Sequence, residues 1–352
     1  MEVTYESIQK LDTHKVYESV LSFPKQIEHV AELAKSFNLP DDYNDVKNVV
    51  VAGMGGSALG ARVVDSLYID SLFVPLEIVN DYKLPAYVNN QSLVIASSYS
   101  GSTEEVLACY QEAKQRHAKI VIVASGGKLA SLAKIDGFPA FVYQAVHNPC
   151  KQPRLAIGYA VSSLLVIFAK AGLIKIQDKD FESATKNADN VNKICRIEAD
   201  DNPAIELAQK ITGKIPILIG SEHLTGAVHV TNNQINENAK TFTSDFVIPE
   251  LNHHLMEGLK FPASNPQNLF FMFYESNLYH PRTVKRHLLT QKFISQHQFA
   301  FSNYQPTAKT KFEQVFQVIQ FGNFYSFYLA ILNGLDPTPI PTVDWFKDEM
   351  GK

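Results

Sequence analysis

Hydrophobic and polar positions follow a regular pattern along this chain, and the pattern predicts an α/β protein. Short apolar runs rich in valine and isoleucine are separated by stretches with helical spacing. Because these runs are apolar on both faces, we expect strands of a parallel sheet with helices on both sides. In the first part of the chain, the predicted strands are Asn48–Ala52, Leu76–Asn80, Ser92–Ser97, Lys119–Ala124 and Ala140–Gln144. The predicted helices include Ser57–Leu67, Thr103–His117 and Ile157–Ala171.

A second series of strands and helices follows the polar stretch 175–202. Its predicted strands are Ile215–Gly220, Lys240–Ser244, Leu269–Phe273 and Phe299–Ser302, and a long helix is predicted at Thr310–Leu332. A strand, a Gly-Ser turn and a helix occur in both series, which indicates a weak internal repeat. The chain is therefore predicted to have an N-terminal helical extension (1–45) and two α/β domains (46–175 and 203–352). Three prolines predict an extended C-terminal tail: Pro337, Pro339 and Pro341.

Composition and charge narrow the class of protein. The 352 residues are 45% hydrophobic and 19% charged, which is typical of a globular protein with sizeable cores. The net charge of −4, without a long basic run, argues against nucleic-acid binding. The apolar run 157–169 is too short to span a bilayer, so no membrane association is expected. The three cysteines are widely spaced, which is typical of a cytoplasmic protein without disulfides.

The loop after the third predicted strand, SYSGSTEE at Ser98–Glu105, suits a phosphate group. Its short hydroxyl side chains are Ser98, Ser100, Ser102 and Thr103. Gly101 allows close approach of the backbone, and the N-terminus of the next helix offers free N–H groups and a positive dipole end. Ser102 and Glu105 fit a capping box, so we expect Ser102 to cap the helix that begins at Thr103. A helix cap alone would need fewer hydroxyl side chains than the four in this loop, and we therefore predict that the loop binds a phosphate group.

The glycine-rich turn after the first strand, GMGGSA at Gly53–Ala58, has three interpretations. It could be a tight turn without a ligand, a degenerate dinucleotide fingerprint for a nicotinamide cofactor, or a contact with a sugar or phosphate. In the third case Gly56 and Ser57 are the candidate contacts. The third is favoured, because this turn and the SYSGST loop follow strands of the same parallel sheet, where ligands gather at the carboxyl ends.

The segment Gln234–His254 contains candidates for proton transfer. Glu237 lies on a predicted helix, and His253 follows sixteen residues later. A carboxylate and an imidazole in one pocket are what proton transfer at neutral pH needs. A solvated helix end explains Glu237 equally well on this motif alone. A metal site formed by His253, His254 and Glu257 is less favoured, because adjacent histidines point apart on most backbones.

Two positively charged residues are further candidates. Arg154, in the sequence Gln152-Pro153-Arg154, precedes an apolar helix, where its side chain could reach a ligand or lie on the surface. Lys347 lies in the predicted C-terminal tail and carries no signal of its own.

Taken in order, these motifs resemble those of the bifunctional phosphoglucose/phosphomannose isomerases of the sugar isomerase (SIS) domain superfamily. The matching motifs are GMGGSALG (Gly53–Gly60), SYSGST (Ser98–Thr103), Pro153-Arg154, NENAK (Asn236–Lys240) and ELNHH (Glu250–His254). SYSGST marks only the superfamily, whereas NENAK followed by the histidine is more specific. The resemblance implies two flavodoxin-like SIS domains, each a parallel sheet flanked by helices, in a homodimer without metal or organic cofactor. It implies interconversion of glucose 6-phosphate and mannose 6-phosphate with fructose 6-phosphate through a cis-enediol.

The resemblance also implies roles for individual residues. Those around the phosphate would be Gly56, Ser57, Ser98, Ser100, Ser102 and Thr103. Glu237 would be the base that moves a proton between C1 and C2, and Arg154 would stabilise the enediolate. His253 would assist ring opening, reaching the site from the partner subunit, with Lys347 helping from the tail. Thr338 would be the small residue beside C2 that lets both epimers bind.

The motifs leave some alternatives open. The family pattern has Asn-Glu after its histidine, whereas this chain has His254-Leu255, so His253 is assigned by its spacing from Glu237. A non-catalytic sugar-phosphate-binding regulator needs the phosphate loop but neither base nor ring-opening group. An isomerase of another phosphosugar, such as glucosamine 6-phosphate, would keep the chemistry and change the substrate.

Overall fold

The computed structural model describes residues 2–351 and contains two parallel β-sheets enclosed by helices. The strands are β1 (Asn48–Ala52), β2 (Leu76–Val79), β3 (Ser92–Ser98), β4 (Lys119–Ala124), β5 (Ala140–Val142), β6 (Ile215–Gly220), β7 (Ser244–Val247), β8 (Leu269–Tyr274) and β9 (Ala300–Tyr304). The helices are α1 (Tyr5–Leu11), α2 (Val16–Leu21), α3 (Phe23–Ala34), α4 (Gly56–Tyr68), α5 (Glu104–Gln115), α6 (Gly127–Asp136), α7 (Ile157–Lys170), α8 (Asp178–Cys195), α9 (Pro203–Ile211), α10 (Thr225–Ala239), α11 (Leu255–Gly258), α12 (Asn265–Asn268), α13 (Pro281–Gln296), α14 (Lys311–Leu332) and α15 (Pro341–Met350). Short 3-10 helices lie at Asp41–Asn44, Pro153–Leu155, Glu222–Leu224 and Glu250–His253.

The first sheet has the strand order β2-β1-β3-β4-β5, and all neighbouring strands are parallel. Every residue of β3 is buried, as expected for a central strand covered on both faces. The direction in which the chain adds strands reverses between β1 and β3. Such a reversal opens a crevice at the carboxyl ends of the two strands. The prediction of an α/β fold with helices flanking a parallel sheet is confirmed.

The second sheet has the order β7-β6-β8-β9, and its strands are also parallel. In each sheet the second strand in the chain lies at the edge, followed by the first, third and fourth strands, so this order matches β2-β1-β3-β4 of the first sheet. The predicted strand at Lys240–Ser244 is wrong, because β7 begins only at Ser244. The reason is local: Lys240 has a left-handed backbone conformation, with φ 50°, at the end of α10. That conformation ends a helix and cannot begin a strand.

Helix α14 is the central helix of the molecule. It packs against α8, α9 and α10, and α10 in turn packs against α4 beside the first sheet. Within residues 2–351, α14 is the helix that is long and apolar enough to cross a membrane, but 94% of its apolar window is buried inside the chain. This burial identifies it as a core helix that joins the helical layers of the two sheets.

The polar stretch 175–202 contains the 18-residue helix α8, which the strand pattern did not reveal. Its buried apolar residues recur every three or four positions and form one narrow stripe: Phe181, Ala184, Ala188, Val191 and Cys195. This stripe faces α14 and α3. Because the other faces are polar, the segment has a low overall hydrophobicity although it is a packed helix.

The C-terminal tail is not extended throughout, and that prediction is wrong. Helix α15 begins at Pro341 and continues to Met350. Proline is well tolerated at the first position of a helix, where its missing N–H has no partner to lose and its fixed φ favours the helix. No residue of α15 is buried within the chain.

Candidate active site

Two loops meet at the carboxyl ends of β1 and β3. The N–H of Tyr99 donates to Oγ of Ser57 over 2.8 Å, and Oγ of Ser97 donates to the carbonyl of Ser57 over 2.9 Å. These bonds join the glycine-rich turn to the SYSGST loop. The expectation that both loops lie at one edge of the sheet is confirmed.

The SYSGST loop is held in shape by its own hydroxyl groups. Oγ of Ser98 lies 2.7 Å from Oγ1 of Thr103 and accepts the N–H of Gly101 over 3.1 Å. Oγ of Ser100 accepts the N–H of Ser102 over 3.3 Å. Ser98 is buried, whereas Ser100 and Ser102 are exposed. Exposed hydroxyls on a braced loop at a helix N-terminus can receive an anion.

The predicted capping box of Ser102 and Glu105 is wrong. Helix α5 begins at Glu104, with Thr103 as its N-cap and no side-chain cap hydrogen bond. The Thr103 hydroxyl lies against the Ser98 hydroxyl, and the helix begins one residue later than the capping box predicts. The first-turn N–H groups of α5 are consequently not used by a capping side chain.

A third loop, Ser125–Gly127, supports the SYSGST loop and was not singled out from the sequence. A Cβ on Gly101 would lie 1.9 Å from the carbonyl oxygen of Gly126, and a Cβ on Gly127 would lie 2.1 Å from that of Ser100. Oγ of Ser125 also donates to the carbonyl of Tyr99 over 2.7 Å. The available signal was a Gly-Gly pair directly after a predicted strand, as in the first glycine-rich turn.

Gly56 brings the glycine-rich turn against the Pro153–Leu155 3-10 helix. A Cβ on Gly56 would lie 2.9 Å from the carbonyl carbon of Pro153 and 3.0 Å from the backbone nitrogen of Arg154. A larger residue would push the two segments apart. The phosphate-loop candidates are thereby connected to Arg154.

The Arg154 side chain is fully buried, so the interpretation of a surface arginine is wrong. A guanidinium has five N–H donors, and each has an acceptor here. The acceptors are Asn238 Oδ1 (2.7 Å, from Nε), Gln152 Oε1 (2.9 Å) and Glu237 Oε2 (3.3 Å, both from Nη1), and the carbonyls of Pro337 and Thr338 (2.8 Å each, from Nη2). Burial lowers the pKa of Arg154, and the Glu237 carboxylate opposes that shift.

One face of α10 supplies three residues that hydrogen-bond to Arg154. Gln234, Glu237 and Asn238 are spaced three and four residues apart, which places them side by side on a helix. Nε2 of Gln234 donates to the backbone carbonyl of Arg154 over 2.9 Å. The amide of Asn238 accepts from Arg154 and donates to Ser326 on α14. The alternative of a solvated helix end is wrong for this face, because Gln234 and Asn238 are buried.

Glu237 combines burial with remaining access to solvent. Its side chain is 30% exposed and pairs with Arg154. Burial raises the pKa of Glu237, while Arg154, Lys347 and Lys240 act in the opposite direction without cancelling the effect. A carboxylate with a raised pKa is a stronger proton acceptor, as a general base requires.

The other sequence candidates are placed differently. Thr338 is buried; its carbonyl binds Arg154 and its N–H donates to Asp336 over 2.8 Å. Lys347, exposed on α15, is close enough for its charge to lower the pKa of Glu237.

His253 is exposed, and no hydrogen bond or ion pair joins its side chain to another of the described residues. Within residues 2–351, no group of three or more His, Cys, Asp or Glu side chains could hold a metal ion.

The equivalent edge of the second sheet is closed by its own side chains. Oγ of Ser221, which follows β6, donates to the carbonyl of Ile248 and lies 2.9 Å from Nε2 of His287. The N–H of Ser221 donates to the hydroxyl of Tyr279. Ser221, His287 and Tyr279 are all buried. The hydroxyl of Ser221 is therefore bonded within the protein, whereas Ser100 and Ser102 at the first sheet are exposed.

Comparisons with known proteins point to one family. Residues 200–350 match the family model described as the bacterial phospho-glucose isomerase C-terminal SIS domain. The chain is 33% identical to the bifunctional phosphoglucose/phosphomannose isomerase of Caldicellulosiruptor bescii over 96% of this chain and 99% of the relative. It is 27% identical to the enzyme of the same name from Aquifex aeolicus, again over 96% and 99%.

A crystal structure of a hypothetical protein from Thermus thermophilus has the same fold, with a TM-score of 0.76 and 15% identity over 98% of this chain and 92% of that one. The fold and the matching family model define a SIS-domain protein of the phosphosugar isomerase type. The chain belongs to the bifunctional phosphoglucose/phosphomannose isomerase family.

Proposed function

We propose that this protein is an aldose–ketose isomerase that interconverts glucose 6-phosphate and mannose 6-phosphate with fructose 6-phosphate. The observation that carries the proposal is the pair formed by Glu237 and buried Arg154, at a site joined to the SYSGST loop through Gly56. A regulator that only binds a sugar phosphate has no need of a carboxylate with a raised pKa beside a fixed cation. Family membership supports the same substrates.

In the proposed reaction, Glu237 removes the proton from C2 of the open-chain aldose. The C–H electrons form the C1–C2 double bond, and the carbonyl electrons move onto O1, which becomes an enediolate. A water molecule protonates O1, which gives the cis-enediol and a hydroxide. Glu237 then returns its proton to C1 while the O2 hydroxyl gives its proton to that hydroxide, which gives the ketose and restores the water. Because C2 is planar in the enediol, glucose and mannose epimers lead to the same intermediate, and Thr338 is the proposed residue beside C2.

Arg154 stabilises the charge throughout these steps. Before proton transfer, its Nη1 donates to the Glu237 carboxylate. Once Glu237 holds the substrate proton it is neutral, and the negative charge lies on O1. The same N–H group can then donate a hydrogen bond to O1 of the enediolate, so that the guanidinium has one anion beside it in both states. A fixed cation where charge develops is usually a large contribution to catalysis.

The SYSGST loop binds the phosphate in this proposal. Ser57, Ser100, Ser102 and Thr103 provide hydroxyls, Ser98 braces the loop, and α5 directs its first N–H groups at the anion. Phosphate binding, remote from C1 and C2, then orients the reacting carbons against Glu237. No step requires a metal or an organic cofactor.

The remaining parts of the proposal concern assembly. Two SIS domains, at 46–175 and 203–352, form a chain that pairs into a homodimer in the cytoplasm, without nucleic-acid or membrane partners. Helix α15 supports pairing, because it buries no residue within the chain and exposes Trp345 and Phe346 beside Lys347. In this proposal the partner subunit's His253, an exposed side chain, assists ring opening.

An isomerase assay on EDTA-treated protein tests the proposal. Fructose 6-phosphate formation is measured from glucose 6-phosphate and from mannose 6-phosphate separately. We expect turnover of both, and we expect Glu237→Gln to lower kcat by about 10²–10⁴ with KM nearly unchanged.

Glu206→Gln is the matched control, because Glu206 pairs with Lys210 on the surface of α9. It should keep the parent kcat. Binding of 6-phosphogluconate without any turnover would instead favour the regulator, and turnover of glucosamine 6-phosphate alone would favour the isomerase of another phosphosugar.

A further inference from the structure

Lys240 is the last residue of the NENAK motif, and its side chain turns back over the end of α10. Its Nζ lies 3.2 Å from the carbonyl oxygen of Asn238, 3.1 Å from that of Asp336 and 3.0 Å from that of Pro337. Two of these carbonyls belong to the link between α14 and α15. An ammonium has three N–H donors, so the protonated side chain satisfies all three carbonyls at once.

The same link holds Arg154. The Pro337 carbonyl oxygen accepts from Nζ of Lys240 and from Nη2 of Arg154, and the neighbouring Thr338 carbonyl accepts from Nη2 as well. Since every donor of Arg154 is in use, a movement of the link changes the orientation of the whole guanidinium. Its Nη1 contact with Glu237 would change with it.

We propose that Lys240 is a positioning residue for the isomerase: its ammonium fixes residues 336–338 and thereby holds Arg154 against Glu237. The inference rests on the proposed function, because it assigns Lys240 to the orientation of that function's base and cation. Lys240 does not touch the reacting carbons in this proposal. It acts only through the backbone link and Arg154.

The protonation state of Lys240 decides how well the link is held. Burial lowers the pKa of Lys240 to about 8, with Arg154 acting in the same direction and Asp336 and Glu237 opposing it. Two further charged or titratable groups lie near these residues. Nδ1 of His14 lies 3.6 Å from Oδ2 of Asp336, and the charge of Lys347 on α15 lowers the pKa of Glu237. A neutral amine has two N–H donors for three carbonyls, so the link is expected to loosen as the pH rises through about 8.

Steady-state kinetics with glucose 6-phosphate across neutral and alkaline pH test this role. For the parent chain we expect kcat to fall above about pH 8. For Lys240→Arg we expect no such fall, because a guanidinium stays charged over this range. For Lys240→Met we expect kcat at neutral pH to be lower by on the order of 10- to 100-fold, with KM within about twofold of the parent, because a displaced reacting group affects the chemical step.

Lys210→Met, on the exposed surface of α9, is the matched control and should keep the parent profile. The proposal is overturned if Lys240→Met keeps the parent kcat and alkaline fall, or if it lowers only the melting temperature. If Lys240→Met does not fold, the Lys240→Arg profile decides: an unchanged alkaline fall contradicts the proposal. An active parent with unaffected variants defeats this inference alone, whereas an inactive parent defeats the proposed function and this inference with it.

Discussion

Nη1 of Arg154 lies 3.3 Å from Oε2 of Glu237, although the two residues are 83 positions apart in the chain. One follows the last strand of the first sheet, and the other lies on a helix that packs between the two sheets. The arginine is fully buried, while the glutamate keeps 30% of its side chain exposed. The cation is therefore fixed by the protein, and the carboxylate remains within reach of a substrate.

The first prediction concerns the donors of Arg154. Arg154→Lys keeps the charge but offers three N–H donors in place of five. A single ammonium group cannot reach all five acceptors that the planar guanidinium binds. We expect the free energy of unfolding to fall by about 2–4 kcal/mol, because buried acceptors lose their partners. Urea unfolding at neutral pH measures it. Arg196→Lys, on the surface, is the control and should change the free energy of unfolding little. An equally small change for Arg154→Lys would show that the Arg154 hydrogen bonds contribute no stability.

The second prediction concerns the pH dependence of the base. Burial raises the pKa of Glu237 above 4.5, and the Lys347 ammonium partly offsets this. Since the base must be ionised, kcat/KM is expected to fall with decreasing pH at a higher pH than for an ordinary glutamate. Removing the positive charge in Lys347→Met should raise the Glu237 pKa further and move this fall to still higher pH. A shift to lower pH in the kcat/KM profile would contradict the assignment.

The third prediction concerns the contact between Gly101 and Gly126. A Cβ on Gly101 would meet the Gly126 carbonyl oxygen at 1.9 Å, and the residue has φ +67°. Gly101→Ala should therefore displace the SYSGST loop and raise KM for glucose 6-phosphate, by on the order of tenfold or more. Gly137→Ala is the matched control, with φ +75° but no atom within 4 Å of the added Cβ. It should cost about 1 kcal/mol of stability and leave KM unchanged.

An unchanged KM for Gly101→Ala would mean that the SYSGST loop does not bind the phosphate. Melting temperatures of both variants separate a local effect on the loop from a general loss of folding.

The fourth prediction concerns the shared site. In a heterodimer of a Glu237→Gln chain and a His253→Ala chain, one of the two sites would retain both Glu237 and the partner subunit's His253. We expect each homodimer to be nearly inactive and the heterodimer, isolated with two affinity tags, to have about half of the parent activity.

A mirror experiment serves as its control. A parent chain paired with a chain carrying both substitutions should be inactive if the site is shared, and half active if each chain is self-sufficient. An inactive first heterodimer together with a half-active second one would place His253 in the site of its own chain.

Much of the fold could be predicted from the sequence because the signals are local. A strand such as Lys119–Ala124 is apolar at nearly every position. The SYSGST loop has four hydroxyl side chains besides a tyrosine, more than a helix cap requires, which indicates an anion site. Errors arose where local signals were weak or opposed one another. Pro341 suggested an extended tail but begins a helix, and α8 was hidden because its apolar stripe is narrow.

The sequence by itself determined the α/β class, the two series of strands, the loops at the first sheet edge and the identity of Glu237 and Arg154 as candidates. Only the tertiary structure decided that Arg154 is buried with all five donors occupied and that it pairs with Glu237. It also decided that Lys240 binds the carbonyls of Asp336 and Pro337, and that the Gly126 loop packs against the SYSGST loop. The physical reason is range. Strands and turns follow from the preferences of neighbouring residues, whereas hydrogen bonds between residues 84 and 183 positions apart depend on how helices pack across two sheets.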